Sequence, residues 1–434
     1  MKHVRFDTKF LLIVVILLAT VLVAACGTDG QEQESVSAEL PADLLETLRA
    51  ADDSFEISTF EVVPKADTVF ETLLSKMPDN EVTRAYVRLS DSAGVVEALG
   101  IEPLKPGFTE DEIKSFIKAV AIRDDVGGLI NGFVPIIQWP NGLRDYADTL
   151  KWMPDLGFDM ASADAFAQTG SFFIGGTIDI SREQMREYDV ALGSFDPDAT
   201  RSALANCECE QPEIGEHFGV EFYAWGEERK QSLGRRLERP FFDGLGRGPR
   251  LLVRPGEAYY SIYDRTMNDH IDVIEGNANS LADVPAYVGA SQLIASLGLT
   301  SQISLGNYRY TVEEILASGC CEKTPEDVMQ GTDLLLPFEM VATSRGFDGE
   351  RAFVGLVIAH ENSVNVEPNI VRLLNRMRTV VPGMSGLGPA PPLADLIDRI
   401  EISTYDQYLV ARIYFSDSRS SWPDGYLGVV LAHE

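Results

Sequence analysis

Two hydrophobic spacings run through this chain, three-to-four and two, interleaved without regular alternation. Helical spacing marks residues 41–51, 66–77 and 92–99, the last stopping at Gly100, since residues three and four apart share one helix face. Thr109-Glu110-Asp111-Glu112 reads as a capping box, in which hydroxyl and carboxylate satisfy each other's orphan backbone donors, and predicts a helix to about Ile122. Asp196-Pro197 starts another, to about Asn206, with a capping carboxylate and a proline in the first turn. Thr311 with Glu314 repeats the capping box, and Gly319 suits that helix's end. Residues 368–380 complete the set, with Ile370, Leu374 and Met377 on one face.

Strand spacing marks residues 84–89, 171–181, 187–195 and 218–225. Residues 251–264 fold back at Pro255-Gly256, the pair a type II turn prefers. Residues 334–344 and 351–360 flank Phe347-Asp348-Gly349-Glu350 as a hairpin, and 400–404 with 408–415 form a second. Residues 426–432 read as a last strand. Hairpins mixed with helices, without steady βαβ alternation, predict an α+β fold of mainly antiparallel sheet. A chain of 434 residues exceeds the roughly 250–300 that one hydrophobic core usually serves. Two lobes, 41–228 and 251–434, are therefore expected, joined at 229–250, where glycine, proline and charge replace the apolar period.

The N-terminus carries a different pattern. Lys2, Arg5 and Lys9 precede a run of 14 apolar and small residues from Phe10 to Val23. A spanning helix needs about 18 or more, so the run suits the core of an export signal. It ends in Val23-Ala24-Ala25-Cys26, followed by Gly27, which resembles the lipobox of bacterial prolipoproteins. The resemblance covers only this export signal. It implies that residues 1–25 are a signal peptide, that the Cys26 thiol becomes lipidated, and that the protein partners a membrane through that lipid. Residues 26–40 then form a polar, acidic tether that holds the body outside the cytoplasm.

Charge narrows the partners. Asp and Glu number 67 against 36 Lys and Arg, a formal charge of −31, so phosphate backbones repel the body and nucleic acid is not an expected partner. The exception is a basic island containing Arg229, Lys230, Arg235, Arg236, Arg239, Arg247 and Arg250 around Phe241 and Phe242. It suits contact with an anionic headgroup or an acidic partner, or simply pairs with the acidic body.

Four further cysteines stand as Cys207-Glu208-Cys209 and Cys320-Cys321. In an oxidising compartment they read as two disulfides joining the CxC to the CC, in either parallel connectivity. A four-thiolate metal site lacks the usual CxxC spacing, and a redox role lacks a nearby base.

Catalytic candidates are weak. Ser115-Phe116-Ile117-Lys118 matches SxxK, the nucleophile–base spacing of penicillin-binding enzymes, but the companion SxN and KTG motifs are absent. Asp269, His270 and Asp272 offer metal-ligating chemistry, though acids near a helix start are equally explained by the macrodipole. Gly244-Leu245-Gly246-Arg247-Gly248 lacks the closing spacing of a dinucleotide loop, and no cofactor is expected. The composite reading is a lipid-anchored extracytoplasmic binding protein without an identifiable catalytic site, binding an envelope protein or a small-molecule ligand. A solute-binding lipoprotein of a transporter is the alternative, and an envelope hydrolase comes third.

Overall fold

Fourteen strands join in one sheet in the computed structural model, which describes residues 37–38, 44, 46, 54–105, 107–120, 152–159, 163–170, 186–228, 230, 234, 248–307, 310–317, 324–381, 391–419, 421–423 and 426–433. In chain order they are β1 (Ser37–Ala38), β2 (Glu56–Thr59), β3 (Val87–Asp91), β4 (Ala165–Gly170), β5 (Glu187–Leu192), β6 (Glu213–His217) and β7 (Val220–Ala224). There follow β8 (Arg250–Arg254), β9 (Glu257–Ser261), β10 (Leu299–Gly306), β11 (Met340–Phe347), β12 (Ala352–Ala359), β13 (Ile397–Tyr405) and β14 (Tyr408–Phe415). Their spatial order is β1-β13-β14-β12-β11-β10-β3-β4-β5-β9-β8-β7-β6, with β2 alongside β13. Every pairing is antiparallel except β2 with β13. With its helices this is an α+β fold, as the mixed periodicities predict.

The period of two sorts side chains between the faces. Along β12, Phe353, Val357 and Ala359 join one core, while Val354, Leu356 and Ile358 join another. The first core runs the length of the sheet beneath the helices Val69–Leu74, Asp264–Ile274 and Pro285–Ala295. On the opposite face Val366–Thr379 and Tyr426–Val430 cover β11–β14. Trp152–Leu156 and Pro197–Asn206 cover β4, β5, β8 and β9 on that same face. A helix-covered sheet of this kind spreads its apolar area over several clusters, the three just described being the largest among the described residues, so length alone does not require two lobes.

The structure does not show the two lobes expected. Residues 229–250 connect β7 to β8, which are neighbours in the sheet through Tyr223–Leu251 and Ala224–Arg250, and residues 37–434 make one contact unit. Local signals fare better. The helices Glu110–Val120 and Val312–Ala317 begin at the capping boxes Thr109–Glu112 and Thr311–Glu314. Asp196 caps Pro197–Asn206 through the Asp198 amide. Gly256 turns β8 into β9 at φ +82°. Residues 426–432, expected as strand, contain the helix Tyr426–Val430: a short apolar run has no period of its own to separate strand from helix, and here Tyr426, Val429 and Val430 share the buried side. The helix expected at 41–51 and the strand expected at 171–181 lie largely or wholly outside the described residues.

Candidate functional site

The Asp269-His270-Ile271-Asp272 string sits on the Asp264–Ile274 helix, and the helix separates its three candidates. Asp269 and Asp272 share the side that faces a cleft of about 320 Å³, opposite the 78–82 turn and beside Arg186 and Asn279. Asp269 Oδ2 accepts from the Tyr188 hydroxyl at 2.6 Å and from Arg186 Nε at 3.3 Å. Asn80 Nδ2 in turn donates to the Tyr188 oxygen at 2.9 Å. Asp272 Oδ1 lies 2.9 Å from His217 Nε2. His270 points the other way, fully buried between the edges of Tyr188 and Tyr259 with centroids 5.3 and 5.1 Å distant. Its ring nitrogens make no well-formed hydrogen bond, and burial, only partly offset by the Lys76 backbone, pushes its pKa down to about 3.

The three residues considered for metal-ligating chemistry thus stand as two cleft carboxylates and one buried neutral imidazole. A helix turns about 100° per residue, so His270 cannot share the face of its neighbour. Among the described residues no group of three or more His, Cys, Asp or Glu side chains could hold a metal ion. The cleft instead presents a relay of donors and acceptors, from Asn80 through Tyr188 to Asp269. Burial and the Asp269 carboxylate drive the Tyr188 phenol far up, so it remains a neutral donor.

Other predicted residues separate as well. Arg250, grouped with the basic island, is 3% exposed. It donates through Nε to Asp264 Oδ1 at 2.6 Å and through Nη1 to the Gly248 carbonyl at 2.9 Å, so it serves the core and does not offer itself to an anionic partner. Lys230 is exposed and pairs with Glu227 at 2.8 Å. Arg229, Arg235, Arg236, Arg239 and Arg247 lie outside the described residues, as do Cys26, Cys320 and Cys321. Cys207 bonds to Cys209 across the single residue Glu208, with Cα atoms 5.2 Å apart, which corrects the expected bridge from the CxC to the CC. Ser115 and Lys118 are exposed on Glu110–Val120, and Ser115 lines a groove of about 680 Å³ with Ile101, Leu104 and Phe116.

Sequence reasoning missed a polar band across the middle of the sheet. Register places Thr343, Ser304, Arg88, Gln168 and Asp189 in one row across β11, β10, β3, β4 and β5. Arg345, Gln302 and Ser90 form the adjoining row on the same face. The band divides the two apolar clusters of that face. Arg88 Nη2 donates to the Tyr86 oxygen at 3.0 Å, and Tyr86 stands 3.3 Å from Ser304 Oγ. Burial, with the nearby charge of Arg88, lowers the Arg345 pKa. Asp189 is 1% exposed; burial first and Glu187 second raise its pKa well above the carboxylate range, against a hydrogen bond with Gln168. Polar residues at in-facing positions of β3 and β10 were the visible signal, but their common row depends on pairing between segments over two hundred residues apart.

No family model matches this chain, and no curated protein matches it. Among solved structures, crystal form I of TP0453 is similar over 81% of this chain and 92% of its own, at 11% identity and a TM-score of 0.30. Crystal form III of TP0453 is similar over 82% and 96%, at 9% identity and a TM-score of 0.31. Superposition at that level carries no assignment of fold family or function.

Proposed function

We propose that this chain is a lipid-anchored, extracytoplasmic binding protein. The observation that carries the reading is Val23-Ala24-Ala25-Cys26 behind a basic and then apolar N-terminus. Sheet pairing begins at Ser37, eleven residues after Cys26, and a chain of that length reaches at most about 40 Å. A chain carrying 67 acidic against 36 basic residues, nearly all of the acids beyond Ser37, benefits from such a standoff from anionic lipid. Growth with an alkyne-bearing palmitate analogue tests the anchor. Label is expected on the wild-type chain and none on Cys26→Ser; label retained by the variant, or absent from the wild type, refutes lipidation at this residue.

The cleft beside Asp269 supports a second reading, a solute-binding lipoprotein. A solute that binds only the folded chain at a hundredfold excess over Kd adds about 2.7 kcal/mol of stability. Thermal shift with amino acids, sugars and polyamines is expected to find one whose effect vanishes in Asp269→Asn. A flat panel returns the assignment to a protein partner.

A further inference from the structure

One element of the fold carries a tip that breaks local rules without serving the core. The β6–β7 hairpin turns at Phe218 and Gly219, both left-handed, at φ +50° and +81°. Two positive φ values in a two-residue loop define a type I′ turn, whose first position favours Asn, Asp or Gly. A phenylalanine there is strained backbone; the residue is 69% exposed, with its ring edge-on to His217 at 4.5 Å between centroids. Ile214 on the same hairpin is 57% exposed. The hairpin is nevertheless held firmly. Phe222 is buried in the long core, a Cβ at Gly215 would strike the Phe222 ring, and His217 is latched to Asp272 at 2.9 Å. Only Tyr223 and Ala224 of β7 pair with β8, so the tip projects past its neighbour.

Charge and position say what meets it. Glu216 and Glu221 pair across the hairpin on the face of Ile214, Glu213 is exposed on the other face, and no Lys or Arg lies between residues 213 and 224. An anionic lipid surface is repelled by that pattern. β6 also stands at the far end of the strand order from β1; that is roughly 57 Å along the sheet at 4.7–4.9 Å per strand. We propose that this hairpin is the docking element for a protein partner presenting an apolar socket ringed by Lys or Arg, with Phe218 as its anchor and Ile214 beside it. An aromatic anchor in a desolvated pocket with charges at the rim is the usual anatomy of a hot spot. The inference names a surface for the binding function proposed above, and it rests on that reading only for the compartment in which the partner lives.

The test is photocrosslinking of the full chain in cells that make it. Phe218→p-benzoylphenylalanine is expected to give one discrete protein adduct, reduced about tenfold when Glu213, Glu216 and Glu221 are all changed to Lys. The same probe at Val364, which is 77% exposed elsewhere on the fold, is expected to give none. A second route avoids charge reversal: a probe at Ile214 should lose its adduct in Phe218→Asn, a substitution that the turn geometry favours. The proposal is overturned by an adduct with a second copy of the chain, by adducts with lipid alone, by equal capture from Val364, by a charge-insensitive adduct, or by no adduct. Failure of palmitate labelling would remove the anchor while leaving this charge-dependent adduct intact, so the two failures are distinct.

Discussion

His270 offers a direct test of how the helix over the long core is packed. Its imidazole is fully buried between Tyr188 and Tyr259, and burial lowers its pKa from 6.5 to about 3. A depressed histidine pKa means that the unfolded chain takes the proton first. The neutral ring's stability is therefore complete above pH 6.5 and is lost as pH falls toward 3. Each unit of pH below 6.5 costs about 1.4 kcal/mol, so the loss between pH 7 and pH 4.5 is roughly 2.7 kcal/mol. His270→Phe keeps an aromatic ring of similar volume in the slot and removes the proton, at a cost near neutrality of less than about 1.5 kcal/mol. The flanking phenols stay neutral throughout, since burial raises both. His360, also lowered by burial, titrates alike in both proteins and cancels in the difference. Urea unfolding followed by tryptophan fluorescence at the two pH values gives the comparison. The variant should gain roughly 2.7 kcal/mol on wild type between pH 7 and pH 4.5. Parallel profiles within about 0.5 kcal/mol, the usual limit of additivity, would refute a buried, uncharged imidazole at this position.

Further expectations follow from other buried groups. Arg376, fully buried, donates to the Val430 and Val328 carbonyls at 3.0 and 2.8 Å and to that of Val429. Arg376→Met takes the guanidinium from the Val430 and Val328 carbonyls, while Val429 keeps the Ala432 amide, and should cost at least about 2 kcal/mol in chemical denaturation; a loss below about 1 kcal/mol contradicts the clamp. Asp189 has a raised pKa, so its contribution is present at low pH and lost as pH rises through the folded value. Asp189→Asn should accordingly gain on wild type in Tm as pH rises from 5 to 8, and a gain in the opposite direction rejects the buried neutral acid. The Cys207–Cys209 bridge closes a very short loop, worth about 1.6 kcal/mol in the chain-entropy model against about 4.7 for a hundred-residue loop. Cys207→Ser with Cys209→Ser should therefore lower stability by less than about 2 kcal/mol; a loss near 5 would restore the long-range pairing.

What could be read directly from the chain was whatever adjacent residues settle between themselves. Thr109 with Glu112, Thr311 with Glu314, Asp196 before Pro197 and the Pro255-Gly256 turn each satisfy their own backbone groups within four positions, and each reappears where expected. The hairpins of β11 with β12 and β13 with β14 are local in the same sense. The candidate site was less legible. Asp269 and Asp272 were picked out as polar residues on one helix, yet their partners Tyr188 and His217 come from β5 and β6, more than fifty residues away.

Charge and the α+β class followed from composition and short-range period, because those properties sum over neighbours. Tertiary structure alone decided that one sheet runs through the supposed boundary at 229–250, since strand order is a matter of which distant edges meet. It alone turned Arg250 inward to Asp264 and gathered Arg88, Gln168 and Asp189 into one row. A single residue's slip in register would have sent that row to the opposite face.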